Sequence, residues 1–377
     1  MIIGGRYIYY FFLFLLICLS LFFDFRKNSE KKKMILYYLL VFVLSIFAGT
    51  RVGWSDQEAY VWVYDMIPPL PAFLCGGAFT QFRMEYLFVL FNSVLKCFSD
   101  NPLIMFLSFA FITVALDLYA FKKYSPYFIL TVVFFYATHY FSGVMVAMRT
   151  GIAMAFVLFG MSYLVNKNDL KFFIVILVAC FFHISSIFVL FGYLLYRLKL
   201  STKTLFFLLV GAFILGAFTP IANLLFSHFI QFKGSSMLLD NGLNYLSDER
   251  FGYAAGVLRP TMLKQLVICL LSLKYRDFLM QKLKYFNVLF VFYCASTMWR
   301  FIFNDIALFA SRCGILLSVG EPVIIVSLLM LFKPNQRTLV AILFALFALG
   351  SFYLNSITFG CPPYMSILFG GTYWRDW

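Results

Sequence analysis

The feature that most constrains this chain is a series of apolar runs long enough to cross a lipid bilayer, separated by short polar stretches. Only helices or closed barrels satisfy the polar groups of a backbone in lipid, and we predict that these runs are helical. The predicted spans are approximately residues 5–23, 34–50, 101–121, 127–147, 149–165, 170–183, 186–197, 204–226, 261–276, 284–303, 308–332 and 338–356. A run at 85–98 is also apolar but is too short, and we predict that it does not span fully. The predicted fold class is an all-α polytopic integral membrane protein with about 11–13 transmembrane helices.

Basic clusters between the apolar runs predict the topology. The net charge is +14, and 18 of the 30 Lys and Arg residues fall in six short stretches, at 24–33, 122–123, 166–171, 197–203, 274–284 and 333–337. By the positive-inside rule these stretches face the cytoplasm, which leaves residues 51–84 and 227–260 as external loops. Because they form no basic stripe on a soluble domain, they do not indicate nucleic-acid binding. We therefore expect residues 1–377 to form a single multi-pass membrane domain in contact with lipids.

Composition and missing motifs exclude several classes of function. Hydrophobic residues make up 63% of the chain and charged residues 12%, which no soluble core accommodates. The three histidines, at 139, 183 and 228, lack metal-ligand spacing, and there is no P-loop, GxSxG or Rossmann glycine pattern. We therefore predict neither a metal nor a cofactor. Among eight cysteines, only Cys75 and Cys361 are expected to face an oxidising compartment, and whether they pair is left open.

The first external loop opens with an unusually dense polar segment, residues 51–60 (RVGWSDQEAY). Arg51 can hold phosphate oxygens through its planar fork, Asp56 can accept a proton from a sugar hydroxyl, and Trp54 or Tyr60 can stack on a sugar ring. These chemistries suit a sugar phosphate. The alternative is an ordinary polar loop with interfacial aromatics.

Two further charges lie close to apolar segments. Glu85 opens the short apolar run, where it is a candidate general base or simply a helix cap. Arg149 lies at membrane depth with no charged neighbour in sequence, at a cost of about 2.5–3.5 kcal/mol on insertion scales. We expect Arg149 to face a water-filled cavity or a bound anion.

The second half of the chain adds weaker candidates. His183 lies at an expected turn between two short apolar stretches, where a structural and a catalytic role are both open. Arg300 and Asp305 could pair with each other. Arg312 and Glu321 are about 14 Å apart along one helix and cannot pair directly, so each needs another partner, which could be a ligand.

Taken together, these residues resemble the polysaccharide polymerases called Wzy, in particular the EpsG-like branch. Arg51, Gly53, Asp56 and Tyr60 are similar to an Arg, Gly, Asp, Tyr pattern after the second apolar helix of that family. The remaining correspondences are Glu85 before the next apolar run, Arg149 with Ile152 and Ala153, His183 with Ser185, and Arg312 in a late helix. Thr150 departs from the Gln that usually follows the intramembrane Arg.

The resemblance implies an O-antigen polymerase, a glycosyltransferase that extends undecaprenyl-diphosphate-linked oligosaccharides at the periplasmic face of the bacterial inner membrane. A GT-C-like arrangement is compatible with it, and a chain-length regulator is a potential partner protein. In this interpretation, Arg51, Arg149 and Arg312 bind the donor diphosphate, and Asp56 or Glu85 acts as general base, with His183 as a further candidate. The alternatives are an O-antigen ligase and a flippase for the lipid-linked unit, although the two similar halves expected of a flippase are not visible.

Overall fold

The structure, a computed structural model, describes residues 5–26, 28–75, 84–229, 253–358 and 360–373. Its α-helices in chain order are α1 (Tyr7–Phe23), α2 (Glu30–Gly49), α3 (Gln57–Met66), α4 (Leu70–Cys75), α5 (Tyr86–Lys96), α6 (Leu103–Tyr124), α7 (Phe128–Phe135), α8 (Met148–Val165), α9 (Asp169–Phe182), α10 (Val189–Arg197), α11 (Thr202–Phe218), α12 (Ile221–Phe229), α13 (Pro260–Lys274), α14 (Arg276–Lys282), α15 (Phe286–Ile302), α16 (Ala307–Leu317), α17 (Glu321–Ser327) and α18 (Arg337–Thr358). A π-helix (Tyr136–Val146), three 3-10 segments (Ile184–Phe188, Leu328–Leu331, Ile367–Phe369) and two short strands, β1 (Arg51–Val52) and β2 (Met365–Ser366), complete the described secondary structure.

The predicted all-α polytopic class is confirmed. Among the described residues, five helices are long and apolar enough to cross a bilayer, or seven if each of two bent helix pairs counts as one span. The predicted number of crossings therefore requires the shorter apolar helices to cross as well. Helix α5, in the run expected not to span, has 11 residues and a length of about 16 Å. Side chains such as Phe42, Phe111 and Leu346 stay exposed, as lipid-facing residues do.

The chain forms two compact units. Unit 1 comprises residues up to Phe159 and from Leu329 onward, and unit 2 comprises Gly160–Leu328. In unit 1, α2 packs against α6, α1 against α7, and the π-helix against α18. In unit 2, α15 is buried along nearly its whole length and contacts α10, α11, α13 and α16. The single domain expected over residues 1–377 stays a prediction.

Short polar residues begin several helices beside the basic clusters. The side chains of Ser29, Asn168 and Ser201 each accept a hydrogen bond from a backbone N–H in the first turn of the helix that follows. Such caps satisfy donors that a helix start otherwise leaves unpaired. Asp24 caps α7 from a distance, because its carboxylate accepts bonds from the N–H groups of Ile129 at 3.1 Å and Leu130 at 2.7 Å. This contact ties the end of α1 to the start of α7.

The predicted external loops contain regular structure where they are described. Residues 51–84 contain β1, α3 and α4, and 76–83 lie outside the described residues. Most of the 227–260 segment, residues 230–252, also lies outside them. Cys75 is exposed and Cys361 is buried, and both are free thiols, so the pairing left open from the sequence is not formed in this structure.

Candidate active site

Arg51 lies buried in unit 1, directly after the end of α2. It is 1% exposed, and its guanidinium donates a hydrogen bond to the carbonyl oxygen of Ala48 and lies over the ring of Phe106, 5.4 Å from the ring centroid. Its Nε has no hydrogen-bond partner among the described residues. Burial lowers the pKa of Arg51 to about 10, so the side chain stays charged at neutral pH. A buried cation with an uncommitted N–H is a candidate anion ligand.

A small antiparallel sheet holds the Arg51 segment in place. Arg51 is paired with Ser366 in the β1–β2 ladder, and the carbonyl of Thr50 accepts a hydrogen bond of 2.9 Å from the N–H of Ile367. Gly53 follows with φ +85°, and a Cβ there would lie 2.9 Å from the Met365 Cε atom. The backbone conformation therefore favours glycine, whereas the flexible end of the Met365 side chain can move to admit a Cβ.

Arg149 is positioned by a sharp reversal of the chain between the π-helix and α8. A Cβ built on Gly151 would lie 3.1 Å from the Gly143 Cα, whereas residues eight apart in one straight helix are separated by about 12 Å. The π-helix ends at Val146, and α8 begins at Met148, which puts Arg149 in its first turn. The positive end of the helix dipole and the guanidinium therefore coincide.

Glu85 and Tyr60 surround this guanidinium. Arg149 Nη1 donates to Glu85 Oε2 at 2.6 Å, and the exposed fractions of the two side chains are 26% and 5%, respectively. The guanidinium also donates a hydrogen bond to the Tyr60 hydroxyl and lies over Phe88, 5.7 Å from the ring centroid. Burial raises the pKa of Tyr60 above its ordinary value, and the adjacent Arg149 opposes that rise. The phenol is thus neutral at pH 7.

The structure brings together four of the predicted site residues. Arg51 interacts electrostatically with Tyr60, and Tyr60 contacts Arg149, which binds Glu85. Glu85 occupies the N-cap position of α5 without a side-chain capping hydrogen bond, and the favourable charge of a carboxylate at this helix start stays a prediction. Asp56 is exposed at the start of α3, within electrostatic reach of Tyr60.

A cavity of about 330 Å³ is lined in part by the residues that follow Arg51 and Tyr60 in sequence. Its walls are formed by Val52, Gly53, Trp54, Ser55, Gln57, Glu58, Val61, Met365 and Tyr373. Trp54 is 3% exposed and its ring packs against Tyr9 and Phe141, with centroid distances of 6.0 and 5.9 Å. The Tyr373 hydroxyl is buried without a hydrogen-bond partner among the described residues. Mixed polar and aromatic walls of this kind are typical of small-ligand sites, and stacking of a sugar on Trp54 or Tyr60 stays a prediction.

The other two predicted residues belong to unit 2. His183 is 8% exposed and lies at the break between α9 and the following 3-10 segment, where its carbonyl accepts a hydrogen bond of 2.9 Å from the N–H of Ser186. Arg312 is exposed on α16. The expected convergence of Arg312 with Arg51 and Arg149 stays a prediction.

Unit 2 also contains an ion pair that the sequence did not reveal. Lys264 Nζ lies 2.5 Å from Glu321 Oε1. Asp305, by contrast, caps α12 by accepting bonds from the N–H groups of Ala222 and Asn223 at 3.2 and 2.8 Å. The suggested Arg300–Asp305 pair is therefore wrong, because no salt bridge joins these two described residues. Nor does any group of three His, Cys, Asp or Glu side chains within the described ranges form a potential metal site.

Comparison with known proteins identifies the family of this chain. The sequence model of the EpsG family matches residues 34–366. The amylovoran biosynthesis protein AmsC of Erwinia amylovora is 23% identical over 319 residues, which cover 83% of each chain. No solved structure gives a significant match. The matched region contains Arg51, Tyr60, Glu85 and Arg149, and this chain belongs to the EpsG family.

Proposed function

We propose that this protein is a polysaccharide polymerase that joins oligosaccharide repeat units carried on undecaprenyl diphosphate, at the periplasmic face of the inner membrane. The observation that carries the proposal is the cluster in unit 1, which contains two guanidinium groups and whose neighbours in sequence line a cavity with Trp54 and Tyr373 in its walls. Family membership and a relative named for amylovoran biosynthesis support a role in surface polysaccharide synthesis.

The charge balance of the cluster favours a diphosphate ligand. Arg51 and Arg149 supply two positive charges, and Glu85 pairs with Arg149 and neutralises one of them. The remaining positive charge and the free Arg51 Nε are available to oxygen atoms of an anion. The binding of the diphosphate by Arg312 stays a prediction from the sequence.

The reaction transfers the growing chain from its lipid carrier to the next lipid-linked unit. A hydroxyl oxygen of the acceptor sugar attacks the anomeric carbon of the donor, and the bond from that carbon to the diphosphate oxygen breaks. The arginines stabilise the charge of the departing lipid diphosphate. Because the lipid diphosphate is the leaving group, the reaction needs no nucleotide. The hydroxyl proton passes to a carboxylate.

Of the two predicted carboxylates, Asp56 suits the role of general base better. Glu85 is held by Arg149 at 2.6 Å, which favours its charged form and orients the guanidinium. Asp56 is exposed and makes no side-chain capping bond to α3. We therefore assign proton acceptance to Asp56 and positioning of Arg149 to Glu85. The role of His183 as a weaker candidate base stays a prediction from the sequence.

Complementation of a deletion strain tests the proposal. Arg149→Ala should insert normally into the membrane but should give single repeat units instead of a polymer ladder on a gel. Arg26→Ala is the matched control, since this arginine is exposed between α1 and α2 and should leave the ladder intact. Long ladders from Arg149→Ala at normal expression would contradict the assigned role.

The deletion itself separates polymerase from the alternatives. Loss of a polymerase leaves single units attached to their final acceptor. Loss of a ligase leaves polymer on the lipid carrier, and loss of a flippase leaves single lipid-linked units in the cytoplasmic leaflet. Either of the last two phenotypes would refute the proposed function.

A further inference from the structure

A second group of buried charges lies entirely within unit 2. It consists of Lys264 in the second turn of α13, Arg300 near the end of α15, and Glu321 at the start of α17. Lys264 and Glu321 form a salt bridge of 2.5 Å, and the exposed fractions of their side chains are 24% and 4%, respectively. Arg300 interacts electrostatically with Glu321. Glu321 thus pairs with Lys264, and Arg300 lies within electrostatic range of the same carboxylate without forming a salt bridge to it.

The guanidinium of Arg300 is not fully paired. Its Nε is buried without a hydrogen-bond partner among the described residues. Asp305, the nearest acidic residue in sequence, uses its carboxylate oxygens to cap α12. Gly314 leaves room for the guanidinium, because a Cβ at this position would lie 2.6 Å from the Arg300 Nε. The cluster therefore carries an excess of one positive charge and an unused donor.

The cluster lies at a break in an apolar helix pair. Helices α16 and α17 are bent by 61° relative to each other, and Glu321 is the first residue after the break. Broken helices at membrane depth are tolerated where they are buried in protein or line a water-filled cavity. The partial exposure of Lys264 gives a polar ligand access to the charges.

We infer that Lys264, Arg300 and Glu321 form an anion-binding site that takes a phosphate group. An excess cation in a low-dielectric environment is costly unless a counter-charge neutralises it. A guanidinium with free N–H groups matches the planar geometry of phosphate oxygens. Glu321 holds Lys264 in place and limits the excess charge to one unit, so that one anionic group completes the balance. This inference does not depend on the proposed function.

Binding to the purified full-length chain tests the inference. The probes are undecaprenyl phosphate, inorganic phosphate and uncharged undecaprenol. Arg300→Gln should weaken binding of a phosphate-bearing probe by about tenfold or more, the loss expected for one charge-assisted contact. Arg259→Gln, which removes an exposed arginine just before α13, is the matched control and should not change it. If only undecaprenyl phosphate shows the effect, the ligand is a lipid headgroup; if inorganic phosphate shows it equally, the ligand is a soluble phosphate.

Glu321→Gln provides a test of opposite sign. Removing the carboxylate raises the excess charge from one to two, so this variant should bind the phosphate probe more tightly. A purely structural ion pair predicts no gain. Unchanged phosphate binding in Arg300→Gln, or equal effects on undecaprenol, would overturn the inference. If Arg300→Gln does not fold, phosphate binding by Arg300→Lys and by Glu321→Gln decides the same question.

An Arg149→Gln background separates this site from the site in unit 1. Phosphate binding that survives Arg149→Gln and is lost on adding Arg300→Gln belongs to unit 2. If Arg149→Gln removes all binding, the inference fails while the proposed function stands. If Arg300→Gln removes all binding, the inference stands and the role of Arg149 fails.

Discussion

The ion pair between Glu85 and Arg149 gives the sharpest energetic prediction. Removing one partner of a buried pair costs about 3–5 kcal/mol, because the other charge is left uncompensated. Arg149 keeps its bond to Tyr60 and its side chain is 26% exposed, so Glu85→Gln should cost about 3 kcal/mol, near the lower limit.

A double-mutant cycle isolates the contribution of the pair. The free energy of unfolding would be measured by SDS titration in mixed micelles for Glu85→Gln, Arg149→Gln and the double variant. We expect the double variant to lose about 2 kcal/mol less free energy of unfolding than the two single variants lose together. A difference of this size is typical of residues in contact. It should nevertheless stay inactive, since the guanidinium is gone. A coupling below about 0.5 kcal/mol would refute the assignment of Glu85 as the residue that positions Arg149.

Three further predictions concern other parts of unit 1. Gly151→Ala should destabilise the protein strongly, because its Cβ would lie 2.0 Å from the Gly143 carbonyl oxygen. Gly350→Ala, with open space around the new Cβ, should be neutral or slightly stabilising in the same unfolding assay. Burial raises the pKa of Asp24 from 3.8 to about 6, so the free energy of unfolding of the wild type should fall as the pH rises through that window. Asp24→Asn should remove this pH dependence. Identical melting profiles of the wild type and this variant across pH 4–7 would contradict the burial of the carboxylate. Tyr373→Ala should lower the rate of polymerisation more than Tyr373→Phe if the ring forms a cavity wall for a sugar; equal losses would point to the hydroxyl instead.

The apolar pattern predicted most of the helices but not their internal breaks. The run at 127–147 corresponds to α7 plus the π-helix. A hydrophobic pattern does not distinguish the i to i+5 hydrogen bonds of a π-helix from the i to i+4 hydrogen bonds of an α-helix. The runs at 204–226 and 308–332 are each bent, by 71° and 61°. Glycine and proline mark these breaks, for example Pro220 and Gly320, yet such residues also occur in straight membrane helices.

The residues of the candidate site could be selected from the sequence, but the contacts between them could not. Arg51, Tyr60, Glu85 and Arg149 stand out because charge and hydrogen-bonding groups are rare in this sequence. That Glu85 meets Arg149, 64 residues away, depends on the chain reversal at Gly143 and Gly151, which no local pattern specifies. The sequence did not indicate an ion pair at Lys264, because a lysine near the start of an apolar run ordinarily extends its ammonium group to the membrane–water interface. Only the fold reveals its partner Glu321.

Reconstitution with a defined substrate tests the central claim most directly. The purified chain in liposomes would receive an undecaprenyl-diphosphate-linked oligosaccharide, and mass spectrometry would follow the lipid-linked products. The account predicts doubled and longer oligosaccharides on the lipid carrier, with one free undecaprenyl diphosphate released for each bond formed, and loss of both in Arg149→Gln. Movement of the substrate across the bilayer without any new glycosidic bond would contradict it.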